Sequence, residues 1–129
     1  MKSRMLVSAE NIEQPNMLVE AEQMMMLAQS AGAETAMAIL TAFKNSNAEI
    51  LNDLGNHAQS MNYDEVAKSA HALKGSAGNL GATALAEQAR LVEVACKNKD
   101  ADQLAVLLEA LPATIDETAF ALEAIIASA

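Results

Sequence analysis

Tryptophan is absent from this chain, tyrosine occurs once and phenylalanine twice. Sheet cores draw on aromatic and β-branched side chains, and both are scarce here. The hydrophobic 52% comes mostly from Ala, Leu, Ile, Val and Met, with good helix formers dominant. An all-α fold is predicted. Cysteine occurs once, at Cys96, so an internal disulfide is excluded and a reducing, cytoplasmic setting is expected. Basic residues are few: 8 Lys and Arg against 17 Asp and Glu, a net charge of −9. Nucleic acid and anionic membrane surfaces recruit clustered cations, so neither is an expected partner. No apolar run is long enough to span a bilayer. The opening Met1–Glu10 is basic, but its apolar stretch is too short for a signal peptide. There is no phosphate-binding glycine loop of the G-x-x-x-x-G-K-[ST] type. The 2 histidines lack the Cys or carboxylate spacing of a zinc site.

What remains is one domain of 129 residues built from helical patterns. A loose tail is expected over 1–14 and a bundle over 15–129. Pro15-Asn16 opens the first predicted helix, which runs to about Ser30. Its Met24-Met25-Met26 triplet points in three directions on a helix, so packing is favoured over a metal site. Gly32 separates it from a second helix over Ala33 to Gln59, whose seam carries Leu40, Phe43, Asn47, Ile50, Leu54, His57 and Met61. His57 lies in the last turn, where a cation suits the exposed carbonyls. Asn62 and Glu65 form a capping-box pattern for a third helix to Leu80, with Gly81 as its left-handed stop. A fourth helix, Thr83 to Lys97, turns Leu85, Ala89, Val92 and Cys96 inward. After a turn at Asn98-Lys99, Asp100 and Gln103 repeat the capping pattern. The last helix buries Leu104, Leu108, Leu111, Ile115, Leu122 and Ile125, and Pro112 is expected to kink or interrupt it. Short connections between long helices predict an antiparallel up-down-up-down four-helix bundle with an additional N-terminal helix.

The third helix carries the chemistry. At 100° per residue, Val66, Ala70, Leu73, Ala77 and Leu80 form the core stripe, and His71 lies roughly 140° from its middle. His71 is therefore expected to be exposed. Asp64, Ala67, Lys68, Lys74, Gly75 and Gly78 share its face. Glycine inside a helix costs about 1 kcal/mol relative to Ala. Gly75 and Gly78 strip side chains from around the ring and let another protein approach. Lys74 stands one turn on, in reach of a group attached to the imidazole. Neutral imidazole is a nucleophile near physiological pH. A wide, side-chain-poor surface suits transfer between proteins, because small-molecule sites are normally concave.

The run His71-Ala72-Leu73-Lys74-Gly75-Ser76-Ala77-Gly78-Asn79-Leu80-Gly81 resembles the signature of the histidine-containing phosphotransfer (HPt) domain of phosphorelays. The resemblance extends from about Pro15 to Ser128. It implies a four-helix bundle with a phosphorylated histidine exposed midway along one helix. His71 would accept and donate the phosphoryl group, Lys74 would stabilise it, and Gly75 would leave room for the partner. Glu93 on the next helix would hydrogen-bond the Nδ1–H of His71 and leave Nε2 as the nucleophile. Arg90 would contact the phosphoryl group or pair with Glu93. Ala67, Lys68, Gly75, Gly78 and Arg90 are the expected docking residues.

The resemblance further implies the partners: the receiver domain of a hybrid sensor histidine kinase and that of a response regulator. The HPt protein would need no metal or cofactor of its own, with Mg²⁺ held by the receiver. A monomer is expected. A free-standing shuttle is favoured over a segment of a larger kinase. The alternative function is an adaptor that docks a receiver or kinase without being phosphorylated. A kinase in its own right is disfavoured, because no ATP-binding region fits in the chain. Cys96 is read as core, and Lys68 as a solvated charge unless the partner uses it.

Overall fold

The computed structural model describes residues 17–129. The expected tail over 1–14, and Pro15-Asn16, lie outside them. Among the described residues every regular element is a helix: α1 (Ala21–Ala31), α2 (Ala33–Gln59), α3 (Tyr63–Asn79), α4 (Thr83–Lys97) and α5 (Ala101–Ser128). Helices α2 to α5 form a closed ring: α2 packs on α3, α3 on α4, α4 on α5 and α5 on α2. Helix α1 packs against α2 and α5.

Three near-identical turns join the four long helices. Each has a middle residue in the left-handed region: Met61 (φ 58), Gly81 (φ 73) and Lys99 (φ 53). In each, the following N–H closes back on the helix just ended. Asn62 donates to His57 O at 2.9 Å, Ala82 to Ala77 O at 2.8 Å, and Asp100 to Ala95 O at 2.9 Å. These bonds satisfy carbonyls that a helix end leaves open. Asn62 and Asp100 then start the next helix by accepting from Glu65 N–H (3.3 Å) and Gln103 N–H (3.1 Å).

The expected capping box at Asn62 is only half formed. The Asn62 N–H is already taken by His57, so Glu65 has no donor to reach back to. Its carboxylate pairs with Lys68 at 3.2 Å instead.

The helical phases are largely as predicted. Val66, Ala70, Leu73 and Ala77 of α3, and Leu85, Ala89, Val92 and Cys96 of α4, are buried. Met24 is buried, while Met26 of the same triplet is exposed. Four further expectations are corrected.

Helix α1 starts at Ala21, because Leu18 to Glu20 are held away from helical geometry. Glu20 N–H donates to Gly81 O at 2.7 Å, and Ala84 N–H donates to Leu18 O at 3.1 Å. Met61 leaves the α2 seam, since its place in the turn turns its side chain to solvent. On α5 Leu107 and Ile126 join the buried set, while Leu108 and Ile125 are only half-buried. That helix packs on α1, α2 and α4, so its buried arc is wider than one stripe and takes in Thr114, Thr118 and Ala119. Finally, α5 is not interrupted at Pro112. The ring removes one N–H donor, and burial of Leu111 and Ile115 on either side holds the helix together.

Candidate functional site

Core packing of α3 leaves its opposite face bare. With Leu73 fully buried, the helical phase swings His71 outward, and 71% of its side chain is exposed. Helix α4 packs along α3 and brings Glu93 beside the ring. The carboxylate is shared. Glu93 Oε2 lies 3.1 Å from His71 Nδ1, and Oε1 lies 2.7 Å from Lys74 Nζ. Burial works against charge on Glu93, but the close ammonium of Lys74 and then the hydrogen bond from His71 outweigh it and hold the carboxyl below its ordinary value.

This geometry fixes the tautomer. An ionised carboxylate only accepts, so His71 Nδ1 carries the hydrogen, and in the neutral ring the lone pair is on Nε2. Lys74 and Glu93 sit on different helices, and only the α3–α4 packing makes them neighbours.

The remaining predicted residues divide. Gly75 and Gly78 lie beside open space, where an added Cβ would meet nothing within 4 Å. Nothing among the described residues requires their lack of a side chain. Ala67 is half-buried against the core. Lys68 is exposed and tied to Glu65. Arg90 does not pair with Glu93. It bonds Glu87 on its own helix at 3.0 and 2.6 Å, one turn before it, which holds Glu87 below its ordinary value. Ala67, Arg90 and Lys74 line a groove between α3 and α4 that also includes Glu93 and Lys97. A second, larger groove borders Lys74, Gly78 and Arg90 on the side of α1, where Glu22, Gln23 and Met26 form its other wall. No sequence signal pointed to that wall.

The end of the motif has a different task. A Cβ on Gly81 would sit 2.5 Å from the Glu20 carbonyl oxygen, and the backbone there has φ 73. Gly81 therefore admits both the turn and the strap that precedes α1. Gln23 Nε2 adds a bond to Gly78 O at 3.3 Å. Cys96 is buried, and burial together with the charge of Glu93 pushes its thiol up, away from nucleophilic use. Among the described residues no group of His, Cys, Asp and Glu is placed to hold a metal ion. No described helix is long and apolar enough to cross a membrane.

The ring of helices thus presents an exposed histidine with a carboxylate at its Nδ1. Residues 38–121 match the Hpt domain, and the chain belongs to that family. Membership implies histidine phosphotransfer in two-component signalling, with response-regulator receiver domains as the general class of partner. No curated protein and no solved structure matches the chain.

Proposed function

We propose that this protein is a phosphorelay intermediate whose phosphoryl-carrying residue is His71. The observation that carries the reading is the exposed ring held through Nδ1 by Glu93 at 3.1 Å. The Nε2 lone pair attacks the phosphorus of a receiver's aspartyl phosphate, and the receiver carboxylate leaves. The aspartate of a second receiver takes the group back in the reverse reaction. The receivers of a hybrid sensor kinase and of a response regulator are the proposed donor and acceptor.

Lys74 supplies positive charge beside the phosphoryl group. Gly75 and Gly78 clear the surface on which the receiver sits, and Ala67, Lys68 and Arg90 edge it. Catalysis on this side is positioning and electrostatics. No metal or cofactor is assigned to this chain, and Mg²⁺ belongs to the receiver. A monomer acting in the cytoplasm is part of the same reading. So is the up-down-up-down antiparallel course of α2 to α5, which three-residue connections at Ser60–Asn62, Leu80–Ala82 and Asn98–Asp100 support.

The test is phosphotransfer profiling. Phosphorylated receivers are mixed with wild-type protein and with His71→Gln. Wild type takes up label as an acid-labile, base-stable adduct, and His71→Gln takes up none while its circular dichroism stays helical. Labelling of the His71→Gln protein refutes the assignment.

A further inference from the structure

Helix α5 has two patterned faces, and the bundle is built on one of them. Leu111, Leu122 and their row are buried, with α1, α2 and α4 packed around them. On the opposite side a second pattern repeats every seven residues. Asp102, Glu109, Asp116 and Glu123 form one row of it. Val106, Ala113, Phe120 and Ala127 form the other, offset by four. All of these residues are exposed. Val106 and Phe120 are 61% and 75% exposed, although bulky apolar side chains are what a helix normally turns inward.

Alternate steps of four and three are the spacing by which one helix meets another along a seam. From Asp102 to Ala127 the seam covers about 37 Å at the helical rise per residue. A strict repeat of seven drifts slowly around a straight helix, so a second helix would follow it with a shallow left-handed wrap. We propose that the outer face of α5 is a docking seam for a partner protein's helix that alternates basic and apolar side chains. That partner and an occupant of the histidine face are held on opposite sides of the bundle.

The charges select the occupant. A second copy of this chain in parallel register would set carboxylate against carboxylate at every acidic layer. In antiparallel register each apolar side chain would face a carboxylate. Arg or Lys opposite the acidic row removes both conflicts. That row has no ion-pair partner among the described residues, and α5 carries no cation of its own. Phe120 is the anchor. Asp116, Glu117 and Glu123 lie within one turn of it, so an arginine laid over its ring also finds a carboxylate. Ala113 and Ala127 leave room for larger apolar side chains of the partner. Helices α3 and α5 stand diagonally in the ring, each packed on α2 and α4. His71 points outward from one and Phe120 from the other, so filling the seam leaves the histidine face open.

The probe is a synthetic helical peptide of about four heptads, with Leu and Arg alternating along one seam and a fluorescent label at one end. Its control carries Glu in place of each Arg. Full-length protein is expected to raise the anisotropy of the Arg peptide and not that of the Glu peptide. Phe120→Ala and Asp116→Lys are each expected to weaken binding about tenfold or more. Glu49→Lys, at an exposed position of α2, is the charge control and is expected to change binding by no more than about twofold. All three positions are exposed, so circular dichroism is expected to stay helical. In ¹H–¹⁵N spectra the peptide is expected to shift resonances along the outer face of α5 and not around His71. No binding overturns the proposal, whether the seam stays empty or is covered by a second copy or by residues 1–16. Binding that Phe120→Ala leaves intact, or that Glu49→Lys weakens as much as Asp116→Lys does, reduces the effect to general charge and overturns it too. Shifts centred on His71 overturn the arrangement on opposite faces. None of these readouts involves phosphoryl transfer, so the seam and the assignment of His71 fail separately.

Discussion

Gly75 separates two reasons for placing glycine in a helix. It sits inside α3, where an Ala would be favoured by about 1 kcal/mol. A Cβ there would touch nothing among the described residues. Gly75→Ala is therefore expected to raise stability to chemical denaturation by roughly that amount, and to slow transfer from a receiver. A stabilised variant with unchanged transfer would remove Gly75 from the docking surface. Glu93 links the site to pH. Its carboxyl lies below its ordinary value in the folded protein, so the folded state binds that proton less readily than the unfolded chain does. The resulting stability is complete above about 4.5 and is lost as pH falls through the lower folded value. Denaturation curves should show wild type losing more stability than Glu93→Gln below that point. The exposure of His71 was legible because the period of Val66, Ala70, Leu73 and Ala77 fixes the opposite face. The partners of Lys74 and Arg90 were not. Long side chains reach several neighbours, and helix packing selects among them.

The three turns are the informative feature at the level of elements. Gly81 was readable as a left-handed stop, because glycine adopts positive φ without strain. Met61 and Lys99 occupy the same position in the other two turns with no such signature. A side chain in that region costs about 1–2 kcal/mol. Lys99→Gly is expected to stabilise the protein by about 1 kcal/mol, since part of the gain is offset by the freedom glycine adds to the unfolded chain. Gly81→Ala is expected to destabilise by about 2 kcal/mol or more, because it meets the Glu20 carbonyl as well as the strained φ. Urea denaturation of both variants checks the pair. Thr118 is a related case on α5. Its hydroxyl is buried and finds no partner among the described residues. Thr118→Val keeps the shape and removes that hydroxyl, so stability is expected to rise by about 1 kcal/mol in the same assay.

Charge is distributed unevenly over the whole molecule. Helix α5 carries Asp102, Glu109, Asp116, Glu117 and Glu123 and no cation. Helices α3 and α4 balance: Asp64, Glu65, Glu87 and Glu93 against Lys68, Lys74, Arg90 and Lys97. The histidine thus stands on a neutral face of an acidic protein. An anionic surface can approach that face without the repulsion α5 would present. Lys68→Glu is expected to slow association with a receiver, and Glu117→Lys on α5 to leave it within about twofold. Stopped-flow association rates at low and high salt check both.

Composition and period alone determined that this chain is helical, which stripe of α3 and of α4 is buried, and that His71 faces outward. Those properties are local: helix-forming residues at a regular spacing define a core stripe wherever the helix is placed. Tertiary structure alone decided that Glu93 divides its two oxygens between His71 and Lys74, that Arg90 turns to Glu87, and that Gly81 makes room for Glu20. Each of these depends on how far one helix is shifted along its neighbour, or on which of several ions within reach a long side chain takes. Spacing along a single helix carries neither.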